Sequence, residues 1–507
     1  MDALDDLRRR IDILNRVGLA LSVETNPRQL VEQILQGAME ITRADGGTVY
    51  EVVEDRLRFE IIHNQSMGIH AGVSGVRPVP LPDVWLHIDG TENHASVVAH
   101  CVLTGTTVNL PDAYEAPGFD FSGTKKFDVK TGYRTTSVLV VPMRDHEGVI
   151  TGALQLINAR DAAGGSVPFP DADQVLVESL ASQAATARTK HRLIEDQKRL
   201  FESFIQLIAT AIDEKSPYTG GHCRRVPELT MLLAEAAAQS PGGFAMAESD
   251  RYELRIAAWL HDCGKITTPE WVMDKATKLS AIHDRIELVA TRFAVAAAQD
   301  PLRARQLADD LAFLRRANTG GESMRPEDQA RVRAIATRTW FGLDGVEQPL
   351  LTADEVDNLC ISRGTLLPRE REVINHHIVA TIRMLESLPF PRHLKRVPEF
   401  AGGHHERMDG KGYPRRLTRE QMSVQARIMG IADIFEALTA GDRPYKKAMT
   451  LTQALAILGR MKLDGHVDPD LFEVFIRRRV YLDYAKRFLR PEQIDVVDEA
   501  AIPGYLP

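Results

Sequence analysis

The chain has 507 residues, 44% hydrophobic and 26% charged, a composition that excludes a disordered or collagen-like polypeptide and allows two or three domains at roughly 150 residues each. A net charge of −8, from 62 basic and 70 acidic side chains, provides no general field for a nucleic acid polymer or an anionic lipid surface. No run approaches the roughly 18 uninterrupted apolar residues of a membrane span, and the four scattered cysteines form no CxxC pair, which excludes a disulfide framework and a zinc–thiolate site. The opening Met1-Asp2-Ala3-Leu4-Asp5-Asp6 is acidic where a secretory signal is basic and then apolar, so the cytoplasm is the expected compartment.

The first stretch predicts a helix with a narrow apolar seam, Leu4, Ile11 and Gly18 beside Leu7, Leu14 and Leu21. That seam suits packing on its own domain or a dimer contact. From about residue 46 the period shortens to two: Gly47–Val53 and Leu57–Ile62 flank a polar turn, as a hairpin does. Two further β-rich runs, Ser137–Pro142 and Gly152–Ile157, bracket His146-Glu147-Gly148. Between Asp173 and Ala211 there is neither Pro nor Gly, and Leu180, Ala187, Ile194, Phe201 and Ile208 recur by sevens. This predicts a long linker helix, either a parallel dimer helix that passes a shift between domains or a rigid spacer. Beyond residue 205 the periodicity is helical to the end.

That second half holds most of the clustered histidines. Sixteen His would give roughly 0.5 adjacent pairs by chance, and the chain has two, His376-His377 and His404-His405. With His222, His261-Asp262 and Asp433 they form a mixed imidazole–carboxylate set suited to Mn, Fe or Zn, in which a carboxylate can bridge two ions. Helices can project such ligands inward together.

Residues 205–490 resemble the HD-GYP domain of bacterial cyclic di-GMP phosphodiesterases, a helical branch of the HD phosphohydrolase superfamily. The resemblance rests on ordered blocks: Tyr218-Thr219-Gly220-Gly221-His222, His261-Asp262-Cys263-Gly264-Lys265, Asn375-His376-His377, His404-His405-Glu406-Arg407-Met408-Asp409-Gly410-Lys411-Gly412-Tyr413-Pro414, and Ala432-Asp433 through Thr439, ending in Arg443-Pro444-Tyr445-Lys446. It implies two divalent metals, Fe or Mn, with Asp262 bridging them, His261 and Asp262 as ligands, His377, His404 and His405 on one ion, and Asp433 and His222 completing the other. His261, Asp262 and Lys265 are the implied catalytic set. Lys265, Arg443 and Lys446 would face substrate phosphates, and Gly410, Gly412, Tyr413 and Pro414 would form the loop beside the metals. The implied reaction opens cyclic di-GMP to pGpG, with GMP as the product of a second cut.

Two departures from the family pattern stand out. An acidic residue that binds a third metal in some members is here Tyr218, so two metals are expected. Gly364-Thr365-Leu366 and Glu372 look like the segment that usually follows HDxGK closely, so residues of about 275–360 read as a mostly helical insertion.

Residues 10–190 resemble a GAF domain, closest to those that bind cyclic nucleotides, on Phe127-Asp128, Thr131–Ser137 and Gly152–Asn158, with Phe169 and Asp173. The expected architecture is therefore multidomain: an α/β GAF domain with an antiparallel sheet and flanking helices over 1–185, a helical linker over 174–212, and an all-α HD-GYP domain over 205–490. A small ligand such as a cyclic nucleotide in the GAF domain and a homodimer through the N-terminal and linker helices are the further expectations. Two other functions fit the same motifs: a non-catalytic scaffold that binds a diguanylate cyclase or another partner, and a hydrolase of a different cyclic dinucleotide.

Overall fold

Alternation along the strands sorts the N-terminal half into two cores. In the computed structural model, which describes residues 3–24, 26–72, 81–215, 221–241, 244–320, 323–441 and 448–506, an antiparallel sheet runs in the order Ile69–Ala71, Arg56–Asn64, Ala44–Val53, Ile150–Arg160, Val138–Arg144, Val108–Leu110. Successive side chains point to opposite faces. Val49, Leu139, Val141, Leu154 and Leu156 therefore enter one core with helices α1 (Ala3–Val23), α2 (Pro27–Thr42) and the start of α5 (Asp171–Lys215). Tyr50, Val138, Val140 and Ala153 enter the other, with α3 (Val97–Thr104) and the segment leading into α4 (Ser122–Thr131).

The predicted hairpin pairs Val49 with Ile61 and Val52 with Leu57. The seam of α1 divides between the two readings: Leu14 and Leu21 pack partly buried on the domain core, and the residues nearer the N-terminus do not. Ile13 and Val17 are the residues buried against the domain, whereas Leu4, Leu7 and Ile11 stay about half exposed in the single chain. The face is set by Gly37 of α2, which lets Val17 approach closely.

The chain divides into two compact units, Met1–Arg199 and Leu200–Pro507. Among the described residues the second is helical except for a two-stranded hairpin, Thr339–Phe341 with Glu347–Pro349, that departs from the all-α expectation. Its main core is built on α6 (His222–Ala238), α7 (Glu248–Leu260), α14 (Val397–Gly402), α15 (Val424–Thr439), α16 (Leu451–Leu463), α17 (Pro469–Arg477) and α18 (Val480–Phe488). Between α8 (Glu270–Met273) and α13 (Pro368–Glu386) stand α9 (Ile286–Gln299), α10 (Ala304–Asn318), α11 (Pro326–Ala336) and α12 (Ala353–Leu359). These enclose a core of their own, with Val289, Phe293, Leu307, Leu314 and Leu350 buried together. Buried Lys275 ties this part to α13 by bonds to Glu370 and Asn358. Among the described residues no helix is long and apolar enough to cross a membrane.

Candidate metal centre

Five separate segments converge on the candidate site. His222 is the first residue of α6, and His261 ends α7 and leads into Asp262 and the 3-10 turn Cys263–Thr267. His377 lies midway along α13, His404 and His405 follow α14, and Asp433 is on α15. The turn fits against α13 because residue 264 is glycine: a Cβ there would lie 2.0 Å from the His377 carbonyl oxygen and 2.5 Å from the Thr381 nitrogen. The Gly264 N–H donates instead to Thr381 Oγ1 at 2.9 Å.

The donors fall into two groups, His222–His261–Asp262 and His377–His404–His405, each with ligand atoms within 4.8 Å of one another. Asp262 Oδ2 is 3.2 Å from both His222 Nε2 and His261 Nε2, while Oδ1 is 3.4 Å from His377 Nε2. One carboxylate thus presents an oxygen to each group. Asp433 Oδ1 lies 3.3 Å from His222 Nε2 and 3.9 Å from His261 Nε2, which places it with the first.

Hydrogen bonds at the opposite ring nitrogens fix which atoms are free. His261, His377 and His404 each donate Nδ1–H to the carbonyl three residues earlier, of Ala258 (2.7 Å), Ile374 (2.6 Å) and Ala401 (2.6 Å). His222 donates its Nδ1–H to Glu436 Oε2 at 2.5 Å. An imidazole whose Nδ1 carries the proton offers a lone pair at Nε2. Yet His222 and His261 aim Nε2 at each other across 3.3 Å, and His377 and His405 do the same. Asp262 Oδ1 and His404 Nε2 are buried and accept no hydrogen bond. Carboxylate oxygens and imidazole nitrogens packed this closely in a buried site call for positive charge, which Lys265 supplies at Asp262 Oδ2 and a divalent ion in each group would complete, so the residues present fit such ions.

The electrostatics show that the first group calls for positive charge. Burial alone would push the Asp262 carboxyl up, but Lys265, His261 and His222 hold it well below the usual carboxylate range. Burial opposes charge on His222, and Glu436, Asp262 and Asp433 nevertheless hold it well above the usual histidine range. His404 is pushed down to about 4 by burial and the neighbouring His261.

The remaining predicted residues divide. Lys265 Nζ bonds Asp262 Oδ2, the oxygen that faces His222 and His261. Tyr413 stacks on His405, ring centroids 4.8 Å apart, and its N–H donates to the His405 carbonyl. Gly412 is needed for contact with the chain's own backbone rather than with a ligand, since a Cβ there would meet Arg407 N at 2.4 Å. Gly410 turns the same loop with φ +74°, and Pro414 precedes Arg415, whose N–H donates to buried Glu406. Tyr218, Arg443 and Lys446 lie outside the described residues. His376 points away from the cluster and lines a surface cavity of about 590 Å³ with Thr267, Arg369 and Glu372.

Sequence reasoning gave no role to Glu436. It is fully buried, accepts from His222 through one oxygen and from Arg225 Nε (2.6 Å) through the other, and sits one helical turn beyond Asp433. The signal was a matched pair of i, i+3 spacings, His222/Arg225 against Asp433/Glu436, visible only once α6 and α15 are known to be neighbours.

Comparison with known proteins bears on the whole arrangement. Residues 26–187 match the GAF domain family, and residues 219–340 and 352–471 match HD domain families. The chain joins a GAF domain to an HD domain. It is 28% identical over 278 residues to a 3'3'-cGAMP-specific phosphodiesterase of Vibrio cholerae, a match covering 54% of this chain and 39% of that protein. It is 42% identical over 74 residues to a cyclic di-GMP phosphodiesterase of Pseudomonas aeruginosa, covering 15% of this chain and 17% of that one. The chain therefore spans well under half the length of either relative. A GAF domain/HD domain protein from Geobacter sulfurreducens aligns at 15% identity and a TM-score of 0.25, over 34% of this chain and 98% of that one.

Proposed function

We propose that this protein is a metal-dependent cyclic di-GMP phosphodiesterase of the HD-GYP type, regulated by its GAF domain. The observation that carries the reading is the bridging posture of Asp262, one oxygen toward each group of histidine Nε2 atoms. His222, His261, Asp262 and Asp433 would hold one ion and His377, His404 and His405 the other, with Asp262 shared. Bound divalent ions supply Lewis-acid polarisation of phosphoryl oxygens and a lowered pKa for water at neutral pH.

The chain's own residues do the rest. Lys265 brings a compact positive charge to Asp262, where a phosphate oxygen can take its ammonium hydrogen bonds. Arg443 and Lys446 are the further proposed phosphate contacts. Glu436 keeps the His222 proton on Nδ1, and the three i−3 carbonyls do the same for His261, His377 and His404. Tyr413, stacked on His405, covers that ring from water and offers its outer face to the nucleotide. Gly410, Gly412 and Pro414 shape the loop that carries it.

A cyclic nucleotide as the GAF ligand and a homodimer through α1 and α5 belong to the same reading. The dimer is supported by the exposed apolar side chains Leu4, Leu7 and Ile11 on α1 and Leu193, Leu200, Phe204 and Leu207 on α5. A second substrate, a 3'3'-linked hybrid of GMP and AMP, is favoured by the name of the relative whose match covers 54% of this chain.

The test is hydrolysis of both dinucleotides by protein loaded anaerobically with Fe(II) or Mn(II), products resolved by chromatography. Cyclic di-GMP should yield pGpG or GMP, and Asp262→Ala should lose more than about 100-fold in turnover together with bound metal. Preferential cleavage of the hybrid would transfer the assignment to it. Full activity in Asp262→Ala would overturn the two-metal reading.

A further inference from the structure

The last turn of α5 grips both chain segments that carry the first ligand group. Asp213 accepts the backbone N–H of Gly221 at 3.1 Å and of Cys223 at 3.3 Å, the two residues flanking His222. Two residues on, Lys215 donates to the carbonyls of Lys265 (3.2 Å), Ile266 (2.5 Å) and Thr268 (2.7 Å). Those carbonyls belong to the turn that opens at Asp262 and to its exit.

Both contacts do the work of a cap. The first N–H groups of a helix have no partner within it, and a side-chain oxygen at the position just before the helix usually takes one. That position in α6 is Gly221, which has no side chain to offer and makes no such bond. Asp213 supplies the carboxylate from another helix, and its negative charge is favourable at a helix N-terminus. The 3-10 turn has the opposite need, carbonyls at its end that take donors, the first of which, of Lys265, also accepts the Thr268 N–H at 3.0 Å. An ammonium has three N–H groups and accepts nothing, and all three of these hydrogen bonds from Lys215 go to carbonyls. One helical turn therefore supplies an acid to the segment that starts with His222 and a base to the segment that follows His261–Asp262.

We infer that Asp213 and Lys215 are positioning residues that set the distance between His222 and the His261–Asp262 pair, and thereby the cation affinity of the first group. The inference rests on reading the cluster as a metal centre. Neither residue reaches the converging acceptors, and both act through backbone that carries a ligand. The separations they govern are short: His222 Nε2 is 3.2 Å from Asp262 Oδ2 and 3.3 Å from His261 Nε2. A shift of a few tenths of an ångström changes whether three donors can meet one ion. The helix that ends in this grip begins at Asp171, placing Val177, Leu180 and Ala184 in a core of the GAF half and Ile205, Ala209 and Ile212 in the HD core. Movement of α5 is therefore felt at His222 and Asp262 together, which gives the sensor half a covalent route to the centre.

The experiment uses the full chain with Asp213→Ala, Lys215→Met, and the milder Asp213→Asn and Lys215→Arg. Mn(II) affinity is read by competition with a chromophoric chelator, with circular dichroism and thermal melting as the check on fold. Asp213→Ala and Lys215→Met should each weaken binding of one of the Mn(II) ions by about tenfold or more and leave the other unchanged, and Lys215→Arg should recover most of the loss. Where the first two fail to fold, the milder pair decides, with Asp213→Asn expected to weaken binding and Lys215→Arg to preserve it. Folded variants that bind Mn(II) as tightly as wild type overturn the inference. Weakened Mn(II) binding in a protein that cleaves neither dinucleotide supports the positioning role and removes the proposed substrate instead. A wild type that binds no Mn(II) removes both.

Discussion

Four histidines at the centre need the same thing, a hydrogen-bond acceptor at Nδ1, and they obtain it in two ways. Within a helix or at its end the carbonyl three residues back is in reach, and His261, His377 and His404 use it. His222 opens α6 and takes its acceptor from Glu436 on α15. Glu436→Gln puts a neutral amide in that place, weakens the hold on the His222 proton and leaves Arg225 without its carboxylate. The expected result is a 10- to 100-fold loss of metal affinity with the fold intact, measured by metal content after dialysis against graded chelator. Gly264 is legible for a different reason. It stands inside the HDxGK pattern, but the cause of its presence, a 2.0 Å approach of any Cβ to the His377 carbonyl oxygen, belongs to the packing of two segments more than a hundred residues apart. Gly264→Ala should cost about 1–3 kcal/mol of stability, read from urea unfolding, and should lower metal content with it.

At the scale of elements, Asp468 holds the end of one helix and the side of another. Its Oδ1 accepts the N–H groups of Asp470 and Leu471 at the start of α17, and its Oδ2 takes Arg419 Nε at 2.8 Å and the Arg427 guanidinium of α15. Burial pushes this carboxyl up, but Arg419, the Leu471 N–H and Arg427 together hold it below the usual range. A depressed folded-state pKa contributes stability that is complete above the unfolded value near 3.9 and disappears as pH falls through the folded value. Asp468→Asn should therefore cost about 3–5 kcal/mol at pH 7, as breaking a buried ion pair does, and the gap from wild type should begin to narrow below about pH 4 and close only below the depressed folded-state value. Urea midpoints in a series from pH 7 down to about pH 2 check both statements. The regular elements around such contacts were readable: the hairpin over Gly47–Ile62, the strands near 137–142 and 152–157, and the long helix that spans Asp171–Lys215 all follow from period and from the absence of breakers. The buried face of α1 was not readable. The buried residues Ile13 and Val17 lie outside the seven-residue seam, and they reach the core where α2 carries Gly37, whose lack of a Cβ leaves room for Val17.

For the whole molecule, the consequence of two units with separate cores is that metal bound at the proposed centre would act on one of them. The proposed histidine and aspartate ligands all lie in Leu200–Pro507, on segments that carry that unit's main core, whereas the GAF cores are built from residues up to Ala185. An ion bound only by the folded state stabilises it by RT ln(1 + [L]/Kd), about 2.7 kcal/mol at a hundredfold excess over Kd. Scanning calorimetry of the intact chain should then show two transitions, with Mn(II) raising one by several degrees and chelator lowering it, while the other stays fixed. The metal-dependent transition should also respond to Asp262→Ala. The helices of 286–359 enclose a core of their own and join α13 through Lys275, whose bonds to Glu370 and Asn358 are fully buried. Lys275→Met should loosen that attachment without touching a ligand, splitting a third, metal-independent step from the second transition. A single metal-dependent step in that variant would show instead that these helices unfold as part of the HD core.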